Sequence, residues 1–107
     1  MNRDEMLKRI KASDFIDNNG KILRGIHMLM HDYKRLSSIY KALGIDSDDF
    51  MDSVNYLIES EYIRIRHCDS HKYVELADFN LDEIESKLTA KGIQLLAGAF
   101  NDPCVSV

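Results

Sequence analysis

The stretch "GIDSDDFMDSVNYLIESEY", residues 44–62, decides how this chain folds. Gly44 tolerates the left-handed backbone that ends a helix in a tight turn. Asp46 or Ser47 then caps a new helix reaching about Ser60. Phe50, Val54, Leu57 and Ile58 recur at helical spacing and make its buried stripe, with Met51 at the edge. From Asp46 to Glu61 the same stretch carries six acids and no Lys or Arg. With Val54 taken as the core direction and about 100° per residue, Asp52 and Tyr56 point most nearly outward. Asp49 and Glu59 flank them. Asp48 and Asp49 lie in the first turn, where the helix dipole favours acids by roughly 0.3–1 kcal/mol. Asp52 and Glu59 have no such reason to be acidic.

Upstream, Ser37 and Ser38 can cap a helix from Ile39 to Leu43. Asn18-Asn19-Gly20 is a turn signal. After it, Ile22, Leu23, Ile26, Leu29, Met30 and Tyr33 predict a core-facing helix over about residues 20–32. Asn2-Arg3-Asp4-Glu5 has the spacing of a capping box. Met6, Leu7 and Ile10 then share one face of a short helix, with Lys8, Arg9 and Lys11 around it. That face either covers the chain's own core or pairs with a second copy.

Downstream the period changes. Tyr62-Ile63-Arg64-Ile65-Arg66 alternates with period two and reads as a strand. Asp69-Ser70 supplies turn residues, and Tyr73-Val74-Glu75-Leu76 is expected to return antiparallel. Asn80-Leu81-Asp82-Glu83 offers another capping box. Leu81, Ile84, Leu88, Leu95 and Ala99 fit one helical face, although Thr89 equally caps a shorter helix from Ala90. Gly98 and Pro103 close that helix. The expectation is a mainly α chain with a small antiparallel β-hairpin, an α+β fold. A helical extension over residues 1–19, a domain over 20–100 and an irregular tail over 101–107 divide it.

The totals agree with one domain and a core of limited size. The chain has 107 residues, 45% hydrophobic and 30% charged, with one Pro, five Gly and no internal repeat. No apolar run is long enough to span a bilayer, and MNRDEMLKRI lacks the apolar core of a signal peptide. A cytoplasmic protein, with no membrane partner, is the default expectation. Cys68 and Cys104 form no C-x-x-C pair and are expected as free thiols. A net charge of −4 counts against a chain that grips DNA mainly through phosphates, since such chains are usually basic.

Two motifs add a resemblance. "ALGIDSDDFMDSVNYLIESEYI", residues 42–63, resembles the winged helix-turn-helix pattern A-L-G-I, several polar residues, V-x-x-x-L and a return into a strand. "LTAKGIQLLAG", residues 88–98, resembles the L-T-x-K-G-x-x-L-L segment that follows the wing in many such regulators. The ending also looks like that of small prophage-encoded winged-helix proteins, some labelled as regulators. The resemblance covers about residues 20–100. It implies a transcriptional regulator whose third helix would enter the major groove. One departure is Glu61, which stands where many relatives have Gly before the first wing strand.

The third helix lacks the chemistry for that role. Groove contacts are made by Arg or Lys to guanine, Asn or Gln to adenine, and basic groups to phosphates. Its outward acids suit a solvated or protein-facing surface better. Basic residues gather elsewhere. Lys21, Arg24, Lys34, Arg35 and Lys41 face one acid, Asp32, and the expected hairpin carries Arg64, Arg66, His67, His71 and Lys72. Two candidate sites follow. Lys34, Arg35, Lys41, Arg64, Arg66 and Lys72 would contact DNA through the wing and second helix, the chain acting as a possible homodimer. Asp49, Asp52, Tyr56 and Glu59 would dock a basic protein partner, the chain then serving as a protein-interaction adaptor or a mimic of DNA charge. His27 and His31 share a helix face, and His67, Cys68 and His71 cluster at the turn, but neither group has zinc-finger spacing, so no metal is expected. No G-x-S-x-G, P-loop or dinucleotide glycine pattern occurs. Neither catalysis nor a cofactor is expected.

Overall fold

A computed structural model describes residues 2–28 and 32–107. Its elements run α1 (Arg3–His27), β1 (Lys34–Arg35), α2 (Leu36–Leu43), α3 (Ser47–Glu59), β2 (Ile63–His67), β3 (Ile84–Leu88) and α4 (Ala90–Leu96). Two 3-10 turns, Leu76–Asp78 and Leu81–Glu83, lie between β2 and β3. Among the described residues the fold is α+β: four helices and a three-stranded antiparallel sheet in the order β1-β3-β2.

The opening stretch folds as its residues dictate. Gly44 ends α2 with φ 65° and ψ 24°, and its amide bonds the Tyr40 carbonyl. Asp46 caps α3, its carboxylate accepting from the Asp48 amide at 3.2 Å. Phe50, Val54 and Leu57 are fully buried; each such burial contributes roughly 1.5–3 kcal/mol. They meet Ile22, Leu23 and Ile26 of α1, Leu36 of α2, and Ile63, Ile65 and Ile84 of the sheet in one core.

Four expectations need correction. First, α1 is one helix that passes through Asn18-Asn19-Gly20 without a turn. Asn19 and Gly20 meet the tail instead. Buried Asn19 donates from Nδ2 to the Cys104 carbonyl at 2.9 Å. Gly20 lies so close to the Ser106 carbonyl that a Cβ would collide with it. Leu29, Met30 and His31, expected to extend this helix, lie outside the described residues.

Second, β2 does not pair with residues 73–76. Its partner is β3, in the register Ile63↔Leu88, Ile65↔Ser86 and His67↔Ile84. The expected return survives as a single bridge, Arg66↔Tyr73. Third, residues 84–88 are strand, not helix. A spacing of four, as between Ile84 and Leu88, keeps two residues on one face in either a helix or a strand. Ser86 between them is polar, so it hides the alternation, although it too is fully buried. The Asn80–Glu83 capping box does form, but on a 3-10 turn that leads into β3. Thr89 caps α4, accepting from the Gly92 amide at 3.1 Å. Fourth, Ser37 and Ser38 do not cap α2, which starts after Arg35 with no side-chain cap.

The tail holds neither helix nor strand, yet it is packed. Val105 is 4% exposed. The tail closes over the side of the molecule where α1 and α3 meet, touching Asn19, Gly20 and Arg24 of α1 and Tyr56 of α3.

Candidate functional site

The sheet has two unlike faces. Ile63, Ile65, Ile84, Ser86 and Leu88 turn inward, while Arg64, Arg66, Glu85 and Lys87 alternate outward. Register then sets neighbours. Arg64 lies opposite Lys87, and Glu85 lies between Arg66 on one side and Arg35 on the other. The outer face therefore brings together Arg35, Arg64, Arg66 and Lys87 against Glu85. Arg66 is already engaged: its Nε donates to Glu85 Oε1 at 2.6 Å. Its guanidinium also sits 3.6 Å from the centre of the Tyr33 ring, a cation–π contact. Lys87 Nζ lies 5.9 Å from the same ring. Burial and the neighbouring Tyr73 push the Tyr33 hydroxyl above its usual pKa, with the nearby arginines opposing. Tyr73 itself is 70% exposed. Arg64 and Arg35 are exposed.

Of the six basic candidates, Arg35, Arg64 and Arg66 thus share this face. Lys34 does not, because its register partner is the buried Ser86, and it lines a small apolar cavity of about 230 Å³ with Gly25, Met28 and Ile39. Lys41 is exposed on α2, and Lys72 lies in the turn after β2. That long connection, residues 68–83, is acidic: Asp69, Glu75, Asp78, Asp82 and Glu83 stand against Lys72. Sequence reasoning missed Lys87, Tyr33 and Tyr73. The signal for Lys87 was present, since Ile84-Glu85-Ser86-Lys87-Leu88 alternates with the same period as Ile63-Arg64-Ile65-Arg66.

The acidic candidates separate as well. Asp49 and Asp52 are exposed and line a groove of about 580 Å³ between α1 and α3, with Lys11, Asp14, Phe15 and Asn18. Glu59 is exposed further along α3 and outside that groove. Tyr56 does not point outward. Its ring packs edge-on against Phe15 of α1, and its hydroxyl donates to Asp102 Oδ2 at 2.7 Å. Tyr62 donates to the same oxygen at 2.6 Å. Burial alone would raise the Asp102 pKa; the Tyr62 and Tyr56 hydroxyls, the Cys104 amide and Lys91 outweigh it and hold the carboxyl below its usual value. Sequence reasoning missed Asp102. Its one local sign is the Asx turn it makes with the Cys104 amide at 2.8 Å, a habit of Asp in turns.

His67 is spent on structure. Its Nδ1 accepts from the Asp69 amide at 3.1 Å, and its ring packs edge-on against Phe79. Cys68 and Cys104 are free thiols. Among the described residues no cluster of three or more His, Cys, Asp or Glu is placed to hold a metal ion, and no helix is long and apolar enough to cross a membrane. The His27–His31 pair lies partly outside the described residues. No family model matches the chain, and no curated protein matches it.

Proposed function

We propose that this chain is a non-catalytic winged-helix regulator that contacts DNA through the outer face of its sheet. The winged-helix reading is supported by the element order, by the short β1 between α1 and α2, and by the sheet order β1-β3-β2. A tight left-handed turn at Gly44 joins α2 to α3, as a helix-turn-helix requires. One observation carries the DNA reading: charge is segregated. Arg35, Arg64, Arg66 and Lys87 share a face with the single acid Glu85, on a chain whose net charge is −4. Strands of five residues give a platform about 17 Å long, enough to follow several phosphates. α3 is the wrong helix for a groove, because its exposed Asp48, Asp49, Asp52 and Glu59 would meet the phosphates' own charge.

The test is fluorescence anisotropy on a labelled duplex across a salt series. Binding should weaken steeply with salt. The pair Arg64→Ala and Lys87→Ala should lower the slope of log affinity against log salt by about 2 and affinity by at least about tenfold. Asp52→Lys should not weaken binding. No binding at about 20 mM salt, or binding indifferent to the sheet variant, would overturn the proposal.

The α1–α3 groove supports a second reading. Asp14, Asp49 and Asp52 line it, with Lys11 as the one cation among the described lining residues, so it suits a basic segment of a partner protein. Asp49→Lys with Asp52→Lys would then abolish capture of that partner while leaving DNA binding intact.

A further inference from the structure

The first three turns of α1 carry an apolar face that the other described residues leave exposed. Met6, Leu7 and Ile10 are 51%, 46% and 54% exposed. The other half of the same helix seats Ile22, Leu23 and Ile26 in the core. At about 100° per residue, Ile10 lies roughly 140° around the helix from the face shared by Phe15, Ile22 and Ile26. α1 is continuous from Arg3 to His27, so its own domain, docked on one side, does not reach the other. A second molecule laid along the first three turns would cover it.

That face is complementary to itself. Arg3, Leu7, Ile10 and Asp14 follow one another at spacings of four, three and four, which keeps them in a single seam. An antiparallel copy that sets Leu7 against Ile10 of the partner subunit also sets Arg3 against Asp14 of the partner subunit. A two-fold axis repeats both contacts. Arg3 and Asp14 are exposed, and neither takes part in an ion pair among the described residues. Charge pattern and apolar pattern therefore select the same register.

We infer that the chain forms a two-fold homodimer by antiparallel pairing of the N-terminal halves of α1, with Leu7 and Ile10 at its centre and Arg3–Asp14 pairs at both ends. The paired segment is about 17 Å long. It buries less than a standard interface, so association falls in the micromolar range. The dimer stands independently of the DNA reading, because no residue of the sheet face takes part.

Sedimentation velocity between about 5 and about 500 µM tests it on the full chain, with circular dichroism confirming that each variant is folded. The unmodified chain should pass from monomer to dimer across that range. Leu7→Glu with Ile10→Glu should be monomeric throughout at unchanged helicity. Arg3→Glu and Asp14→Lys should each weaken the dimer, about threefold to tenfold at low salt, and the two together should restore it. A chain that stays monomeric overturns the inference, including one that instead binds anionic phospholipid vesicles through the same residues. So does a dimer that survives Leu7→Glu with Ile10→Glu, or a charge swap that fails to restore pairing.

Discussion

Tyr62 and Asp102, forty positions apart, are joined by a hydroxyl–carboxylate hydrogen bond of 2.6 Å, and Tyr56 shares the same oxygen. This is what fastens the tail to α3 and to the start of the sheet. Asp102→Ala leaves two phenol hydroxyls without their acceptor, one of them on Tyr62, which is 4% exposed. We expect a loss of about 2–3 kcal/mol in urea unfolding. Asp102→Asn keeps an acceptor and should cost less. A change below about 0.5 kcal/mol for Asp102→Ala would mean that the tail is held by other contacts.

The same cluster contributes to stability at both ends of the pH range. The folded Asp102 carboxyl titrates below its ordinary value, so the unfolded chain takes up the proton first. The stability it contributes is complete above the usual Asp range, about 3.9. It is lost as pH falls through the lowered folded value. Tyr56 works in the opposite direction. Burial, then its bond to Asp102, raises it from 10.0 to about 12. Its contribution is present below pH 10.0 and is lost as pH rises toward 12. Unfolding free energy measured from pH 2 to 11 should fall at both ends, and Asp102→Asn should flatten the acid limb. An acid limb unchanged by that substitution would show that another carboxylate controls it.

Gly20 separates propensity from packing by the sign of one substitution. It lies inside α1, where replacing Gly by Ala normally stabilises a helix by roughly 0.8–1 kcal/mol. Here a Cβ would collide with the Ser106 carbonyl. Gly20→Ala should therefore destabilise the full chain and stabilise a chain cut after Asp102, each read by thermal melting. A gain in the full chain would mean that the tail does not hold this position.

Glu61 bears backbone strain in the turn between α3 and β2. Its φ is 63°, a left-handed conformation that costs a side-chain-bearing residue about 1–2 kcal/mol. Glycine relieves that strain but gives back part of the gain as unfolded-state entropy. Glu61→Gly should stabilise by about 0.5–1 kcal/mol, and Glu61→Ala should not. Equal effects from both would place the gain in removing the charge instead.

These positions show what the sequence disclosed and what it hid. The α2–α3 turn was legible, because Gly44 and the Asp46 cap are local devices written in adjacent residues. The acidic exposure of Asp49, Asp52 and Glu59 was legible too, since a helical wheel needs only its own segment. Contacts between distant segments were not. Asn18-Asn19-Gly20 reads as a turn until the tail is known to lie against it. Tyr56 reads as outward until α1 is known to bring Phe15 over it. The strand at residues 84–88 hid behind a spacing that helix and strand share, and with it went Lys87. Three of the basic candidates converge because antiparallel register places Arg35, Arg64 and Arg66 together, and no local pattern fixes which strands pair.

Glu85 is the acid that moderates the basic sheet face, and it offers a test in the direction of gain. It holds Arg66 by a 2.6 Å bond and is the register partner of Arg35. Glu85→Gln keeps an oxygen that accepts from Arg66 Nε but removes the negative charge, so the fold should persist while the face gains one net positive unit. If DNA lies on this face, the salt slope should steepen by about 0.9 for the added phosphate contact. Affinity at low salt should rise at least about threefold. Arg66→Ala should act oppositely, weakening binding and also loosening Tyr33, whose ring Arg66 covers at 3.6 Å. Anisotropy titrations on one duplex read both variants. An unchanged slope for Glu85→Gln would place the duplex elsewhere on the molecule.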